Sequence, residues 1–195
     1  MSYDNQTYDN RPVGTDRVGN WMQTYTGKAF WPLDPRPEEV DIEDIAHSLS
    51  MQGRFAGHAD HWYSIAEHSV YVSRFVPPEH ALQALLHDAS EAYVVDVPRP
   101  VKPALTNYRE IEDRVWGAIA RRFQLPIELH PSIKLADNAV LLAEQRDLLK
   151  PPPMPGLVPG EPAPGLRIAA VAQPKAKKWF LDRFHELTEE RHLAA

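Results

Sequence analysis

The chain has no cysteine in its 195 residues. That excludes disulfide staples, thiolate metal sites and cysteine nucleophiles together, and leaves imidazole and carboxylate as the strong metal-ligating side chains. It also lacks any apolar run near the roughly 18 residues that a membrane span needs. Positive charge is in deficit, because 21 Lys and Arg stand against 27 Asp and Glu and give a net charge of −6. A broad electrostatic grip on nucleic acid is therefore not expected, and a small anionic substrate would need a local cluster of Arg and Lys. The opening MSYDNQTYDNRPVGTDRVGN is polar and has no hydrophobic signal core. These absences point to a cytoplasmic protein that engages neither membrane nor nucleic acid.

What remains is ordinary for a globular chain, with 43% hydrophobic and 25% charged residues and enough length for one buried core. Residues 1–20 read as a disordered N-terminal extension and 21–195 as a single domain. WMQTYTGKAFWPLDPRP suits a small hairpin or extended cap, with Trp21, Tyr25, Phe30 and Trp31 covering the core. Helical spacing of apolar residues predicts about six helices. They cover 41–52, the YSIAEHSVYVSRFV stretch, a continuous 79–93, then 108–123, 132–149 capped by Ser132, and 175–190. KPPPMPGLVPGEPAPG, residues 150–165, is too rich in proline to be helix or central strand. The fold class is all-α, with orthogonally packed helices.

Three of these helices carry an ionisable group on the apolar face. His68 shares a stripe with Ile65, Val72 and Phe75. Asp137 lies among Ile133, Val140 and Leu141. His87 and Asp88 follow ALQALL in the most hydrophobic helix, with Glu91 one turn on and Asp96 just beyond. Taken singly, each has a bland reading: His68 as a satisfied core histidine, Asp137 as the partner of Lys134 or Arg146. Jointly they would bury several carboxylates, which costs several kcal/mol unless positive charge sits among them. A divalent cation held by two neutral imidazoles and two carboxylates supplies that charge and keeps a position open for water. The ligand types suit one divalent transition metal, Co, Mn, Zn, Ni or Fe alike.

In the order His68, His87-Asp88, Asp137, the sequence resembles the HD-domain metal-dependent phosphohydrolases. The likeness is strongest to the 5′-deoxynucleotidase branch, through EHS (67–69), HDASE (87–91), DVPRPVK (96–102) and KLADNAV (134–140). Small phage and bacterial members also carry an opening like QTYTGKAFWPLDPRPEEVDIEDIAHSLS. The resemblance implies an HD-domain helical fold with His68, His87, Asp88 and Asp137 holding the metal. Glu91 would serve as base or orienter of the attacking water, and Asp96 would position water or sugar. Arg54 would pair with the substrate phosphate, Phe55 would line the nucleoside pocket, and Arg99 and Lys102 would add positive charge. A fork such as the Arg54 guanidinium matches phosphate oxygens, which explains how a chain of net negative charge could hold an anion. A homodimer or higher homo-oligomer is implied on the same ground.

The expected activity is hydrolysis of deoxynucleoside 5′-monophosphates to nucleoside and phosphate. The alternative within the family is a triphosphohydrolase releasing triphosphate from dATP, as in small phage relatives. Two other classes are weaker. A di-iron oxygenase needs further histidines between the His-Asp pair and the last Asp, where only His130 stands. A non-catalytic nucleotide-binding HD module has no need of a water-activating carboxylate. His58 and His61 read as surface or outlying histidines, and Trp116 and Phe123 as core stripe.

Overall fold

The computed structural model describes residues 16–154 and 158–193, and within them the chain is all-α apart from one small hairpin. Two short antiparallel strands, β1 (Met22–Gln23) and β2 (Ala29–Phe30), pair Met22 with Phe30. Seven α-helices follow: α1 (Ile42–Met51), α2 (Ile65–Val72), α3 (Ala81–Leu85), α4 (Glu91–Val94), α5 (Tyr108–Arg122), α6 (Pro131–Leu148) and α7 (Gln173–Leu193). None of them is long and apolar enough to cross a membrane. Of the N-terminal extension expected over 1–20, residues 1–15 lie outside the described residues. Arg17 is buried and pairs with Asp34 and Glu39, which anchors the chain from that point.

Local sequence explains most boundaries. Asp41 caps α1 by accepting from the Glu43 N–H at 2.9 Å, ahead of an acidic first turn. Ser64 caps α2 by accepting from the Glu67 N–H at 3.2 Å. Helix α6 starts one residue earlier than predicted: Pro131 takes the first position and the His130 imidazole, rather than Ser132, accepts the free N–H of the first turn. Phe75 falls outside the shortened α2 and is 37% exposed, so it does not extend the His68 stripe. Of the four N-terminal aromatics, Phe30 is fully buried and stacks on Tyr93, whereas Trp21 and Tyr25 stay exposed, so the cap is narrower than expected.

The main departure is the third helix. In place of one helix over 79–93 there are α3 and α4, separated by a turn over 86–90. Successive residues of a regular helix point about 100° apart, whereas in this turn His87 Nε2 and Asp88 Oδ2 come within 3.3 Å of each other.

Helix α2 is the centre of the molecule, with all eight residues buried. One side, through Ile65, Ala66 and Val70, joins the core built with α1, α3, α4, α5 and α7. The other, through Tyr71 and Val72, joins a second core made by α6 and the 163–170 segment, where Ala163 and Leu166 are buried. Polar residues on such a helix must find partners in the fold. Glu67 does so by accepting from the Tyr71 hydroxyl at 3.0 Å and from the N–H groups of Ala170 (3.0 Å) and Val171 (2.8 Å). Burial nevertheless raises its carboxyl above the usual range. Glu67→Ala would leave these donors unsatisfied in the interior, at about 1–3 kcal/mol each. Urea unfolding should show the variant destabilised by at least about 3 kcal/mol, with Glu67→Gln intermediate. A loss under half of that would mean water replaces the carboxylate there.

Candidate metal centre

The two imidazoles are wired alike. His68, on α2, is fully buried, and its Nδ1 lies 2.6 Å from Oε1 of Glu144 on α6. His87, in the turn between α3 and α4, has its Nδ1 2.7 Å from the Ala84 carbonyl. Both acceptors fix the proton on Nδ1, so each ring presents an Nε2 lone pair. Both Nε2 atoms are buried and have no hydrogen-bond partner. They face the same carboxylates: His68 Nε2 is 3.4 Å from Asp137 Oδ1 and 3.6 Å from Asp88 Oδ2, and His87 Nε2 is 3.3 Å from Asp88 Oδ2. One ligand atom from each of His68, His87 and Asp137 lies within 4.8 Å of the others. Orphaned lone pairs opposite carboxylate oxygens are what a divalent cation would satisfy, and the donor set fits one.

The electrostatics say the same. Burial and the nearby Arg54 charge push the His68 imidazolium down, but Glu144 and Asp137 on either side outweigh them and lift its pKa to about 9. Burial alone would raise the Asp137 carboxyl; His68, His87 and Lys134, whose Nζ is 2.6 Å away, hold it far below the ordinary carboxylate range. Without a cation, the anions draw a proton onto an imidazole that is geometrically set to be neutral.

Glu144 and Tyr63 complete the site and were not anticipated. The Glu144 carboxylate is fully buried, and it accepts from the Tyr63 hydroxyl at 2.7 Å and from Arg54 Nε at 3.2 Å besides meeting His68. Burial would raise it, but Arg54 and His68 hold its pKa at about 2. A signal was available, since Glu144 lies seven residues after Asp137, two turns along the same face of α6. Glu144→Ala should weaken divalent-metal affinity by about 10- to 100-fold, the usual cost of losing the group that orients a metal-bound histidine. Calorimetric titration of the variant with Co, Mn or Zn would read this, and unchanged affinity would mean that Glu144 serves Arg54 alone.

Arg54 sits where its side chain is 12% exposed, with Nη1 3.7 Å from Asp88 Oδ2. It precedes two residues of positive φ, Phe55 (57°) and Ala56 (49°), a costly backbone path of the kind found at binding sites. Phe55 packs against the second core. Glu91 opens α4 and is buried; its Oε2 has no partner, and Oε1 is 3.7 Å from the Lys102 ammonium. Burial first, then the charges of Asp88 and Asp96, push its carboxyl up to about 10. Asp96 follows Val95, which holds a φ of 61° that valine rarely adopts and whose carbonyl accepts from the Tyr108 hydroxyl at 2.6 Å. Asp96 itself makes no hydrogen bond or ion pair among the described residues. Arg99 is exposed and makes no ion pair among them either, so the structure does not draw it into the cluster. His58 and His61 are exposed outside α2.

The cluster opens onto a cavity of about 410 Å³. His87, Asp88 and Asp137 line it together with Lys102, Lys134, Glu112 and Trp116. Trp116 packs against the main core as expected and also walls this cavity; Arg54, Phe55, Asp96 and Arg99 are not among its lining residues. A second cavity of about 390 Å³ lies under the hairpin beside α1 and α4, lined by Tyr25 and His47, and no metal-ligand cluster accompanies it.

No family model matches the chain. It is 37% identical over 177 residues to the uncharacterized protein YfdR of Escherichia coli (strain K12), covering 90% of this chain and 99% of that protein. It is 34% identical over 188 residues to an uncharacterized protein of Rhodobacter capsulatus, covering 86% of this chain and 95% of the relative. With identity at this level along nearly the whole of both chains, the protein belongs to the family of YfdR.

Proposed function

We propose that the protein is an HD-domain phosphohydrolase that hydrolyses deoxynucleoside 5′-monophosphates to nucleoside and phosphate, with His68, His87, Asp88 and Asp137 as its metal ligands. One observation carries the reading: two buried imidazoles, each fixed at Nδ1, turn partnerless Nε2 atoms toward two carboxylates at the end of a cavity. A divalent cation bound there supplies Lewis-acid polarisation of a phosphoryl oxygen and activation of water.

The chain's own residues do the rest. Lys102 and Lys134 bring positive charge to a cavity that the metal ligands make acidic, so a phosphate finds counter-charge at that end. Arg54 is oriented by Glu144, which accepts from Nε and leaves Nη1 3.7 Å from Asp88, where it would meet a phosphate bound at the metal ligands rather than in the cavity that it does not line. Glu91 has one carboxyl oxygen without a partner, and in the ionised form that oxygen would take the proton from the attacking water. Burial, Asp88 and Asp96 favour its protonated form; the Lys102 ammonium 3.7 Å away opposes them, and a cation bound beside it would add to that pull.

The test is a screen of all deoxynucleoside and ribonucleoside mono- and triphosphates with Co, Mn, Zn, Ni and Fe, resolving phosphate from pyrophosphate and triphosphate. Inorganic phosphate from monophosphates is expected. In the same assay Arg54→Ala should raise KM and slow turnover without changing metal content, because the fork holds the phosphate and not the cation. Triphosphate released from dATP, with no action on dAMP, would establish the triphosphohydrolase alternative instead. No turnover of any nucleotide would overturn the hydrolase reading, and nucleotide binding without turnover would favour a binding module.

A further inference from the structure

Resting on the phosphohydrolase reading, we infer that the wall formed by Trp116, Ile127 and Leu129 seats the base of the nucleotide, and that Asp113 beside it selects bases carrying an exocyclic amino group. The cavity has two chemically different ends. The metal ligands mark one; the other is an indole with two large apolar side chains that solvent still reaches, Ile127 at 52% and Leu129 at 43% exposure. Its volume of about 410 Å³ falls within the range of small-molecule sites, about 300–1,000 Å³. A molecule with a phosphate and a flat apolar ring matches this polarity in one orientation only.

Trp116 is built as a platform. Its indole N–H donates to the Ile127 carbonyl at 2.7 Å, which fixes the ring against the loop that carries the opposing side chains. A base stacking there needs no hydrogen bond from the indole, since every base offers a π face. Asp113 lies one turn before Trp116 on α5 and lines the same cavity. Its neighbour Glu112 is held by Lys102 at 3.1 Å, whereas Asp113 is exposed and makes no ion pair or hydrogen bond among the described residues. A carboxylate accepts from the amino groups of adenine, cytosine or guanine and repels the carbonyl oxygens that thymine and uracil present in their place. The pocket that the family resemblance implies, beside Phe55, does not line this cavity.

Binding of deoxyadenosine, thymidine and deoxyribose 5-phosphate to the metal-loaded full chain separates the base from the phosphate. Trp116→Ala should weaken deoxyadenosine by about 10- to 100-fold and leave deoxyribose 5-phosphate unchanged. Asp113→Ala, at an exposed position that folding tolerates, should narrow the preference for deoxyadenosine over thymidine by about tenfold. The subsite is overturned if both variants bind the two nucleosides as the wild type does. Nucleoside binding that depends on Trp116 in a protein that hydrolyses no nucleotide would sustain the subsite and remove the hydrolysis.

Discussion

Asp88→Ala should emerge from purification without stoichiometric metal and without measurable hydrolysis. Asp88 approaches both imidazoles, at 3.6 Å from His68 Nε2 and 3.3 Å from His87 Nε2. Removing it would take one of the two carboxylates from the ligand set. His87→Ala should behave the same way, since it removes a neutral donor whose lone pair is already aimed. The effect should also appear in stability. A ligand that binds only the folded state stabilises it by about 2.7 kcal/mol at 100 times its dissociation constant. Chelation should therefore lower the melting temperature of the wild type, and added metal should restore it. Asp88→Ala and His87→Ala should melt at the same temperature with chelator or with metal. A metal-loaded, active Asp88→Ala protein would sink the assignment of Asp88 as a ligand and leave His68, His87 and Asp137 as the ligand set.

Glu91→Ala is the second large effect, and it separates chemistry from metal binding. The residue is buried beside the centre, has a partnerless oxygen, and its carboxyl is raised to about 10 by burial and by Asp88 and Asp96. A partnerless buried carboxyl so perturbed beside a cluster of metal-ligand type is a candidate for proton exchange. Metal content should stay at the wild-type level while kcat falls by about 10²–10⁴, the usual worth of general acid–base catalysis. Glu91→Gln keeps the shape and the contact with the Lys102 side but cannot take a proton, so its kcat should fall as far. If metal disappears together with activity, Glu91 is a ligand, and a second cation shared with Asp96 becomes the better description. If Glu91→Gln keeps most of its activity, the carboxylate is a positioning group and the proton leaves by another route.

Local physics decided much of what the sequence by itself determined. A 3.6-residue period placed α1, α2, α5, α6 and α7 within a few residues, and Asp41 began α1 as its cap. The same period put His68 and Asp137 on inward faces, and the cost of burying charge turned those positions into a metal hypothesis without any distance in hand. Each of these inferences uses residues within a turn or two of one another. The break over 86–90 was not legible, because ALQALLHDASEAYV has continuous helical propensity and carries no proline or glycine to interrupt it. Glu144 was missed for a related reason. In AEQRD it reads as part of a solvated charged face, and its value lies in contacts with His68, 76 residues away, Tyr63, 81 away, and Arg54, 90 away. Trp116 packs against the core as its spacing on α5 implies, but spacing does not record that the 127–130 loop leaves a cavity on its other side. Sequence periodicity orients a side chain relative to its own helix axis, whereas a site is a meeting of several axes, and only tertiary packing sets where they cross.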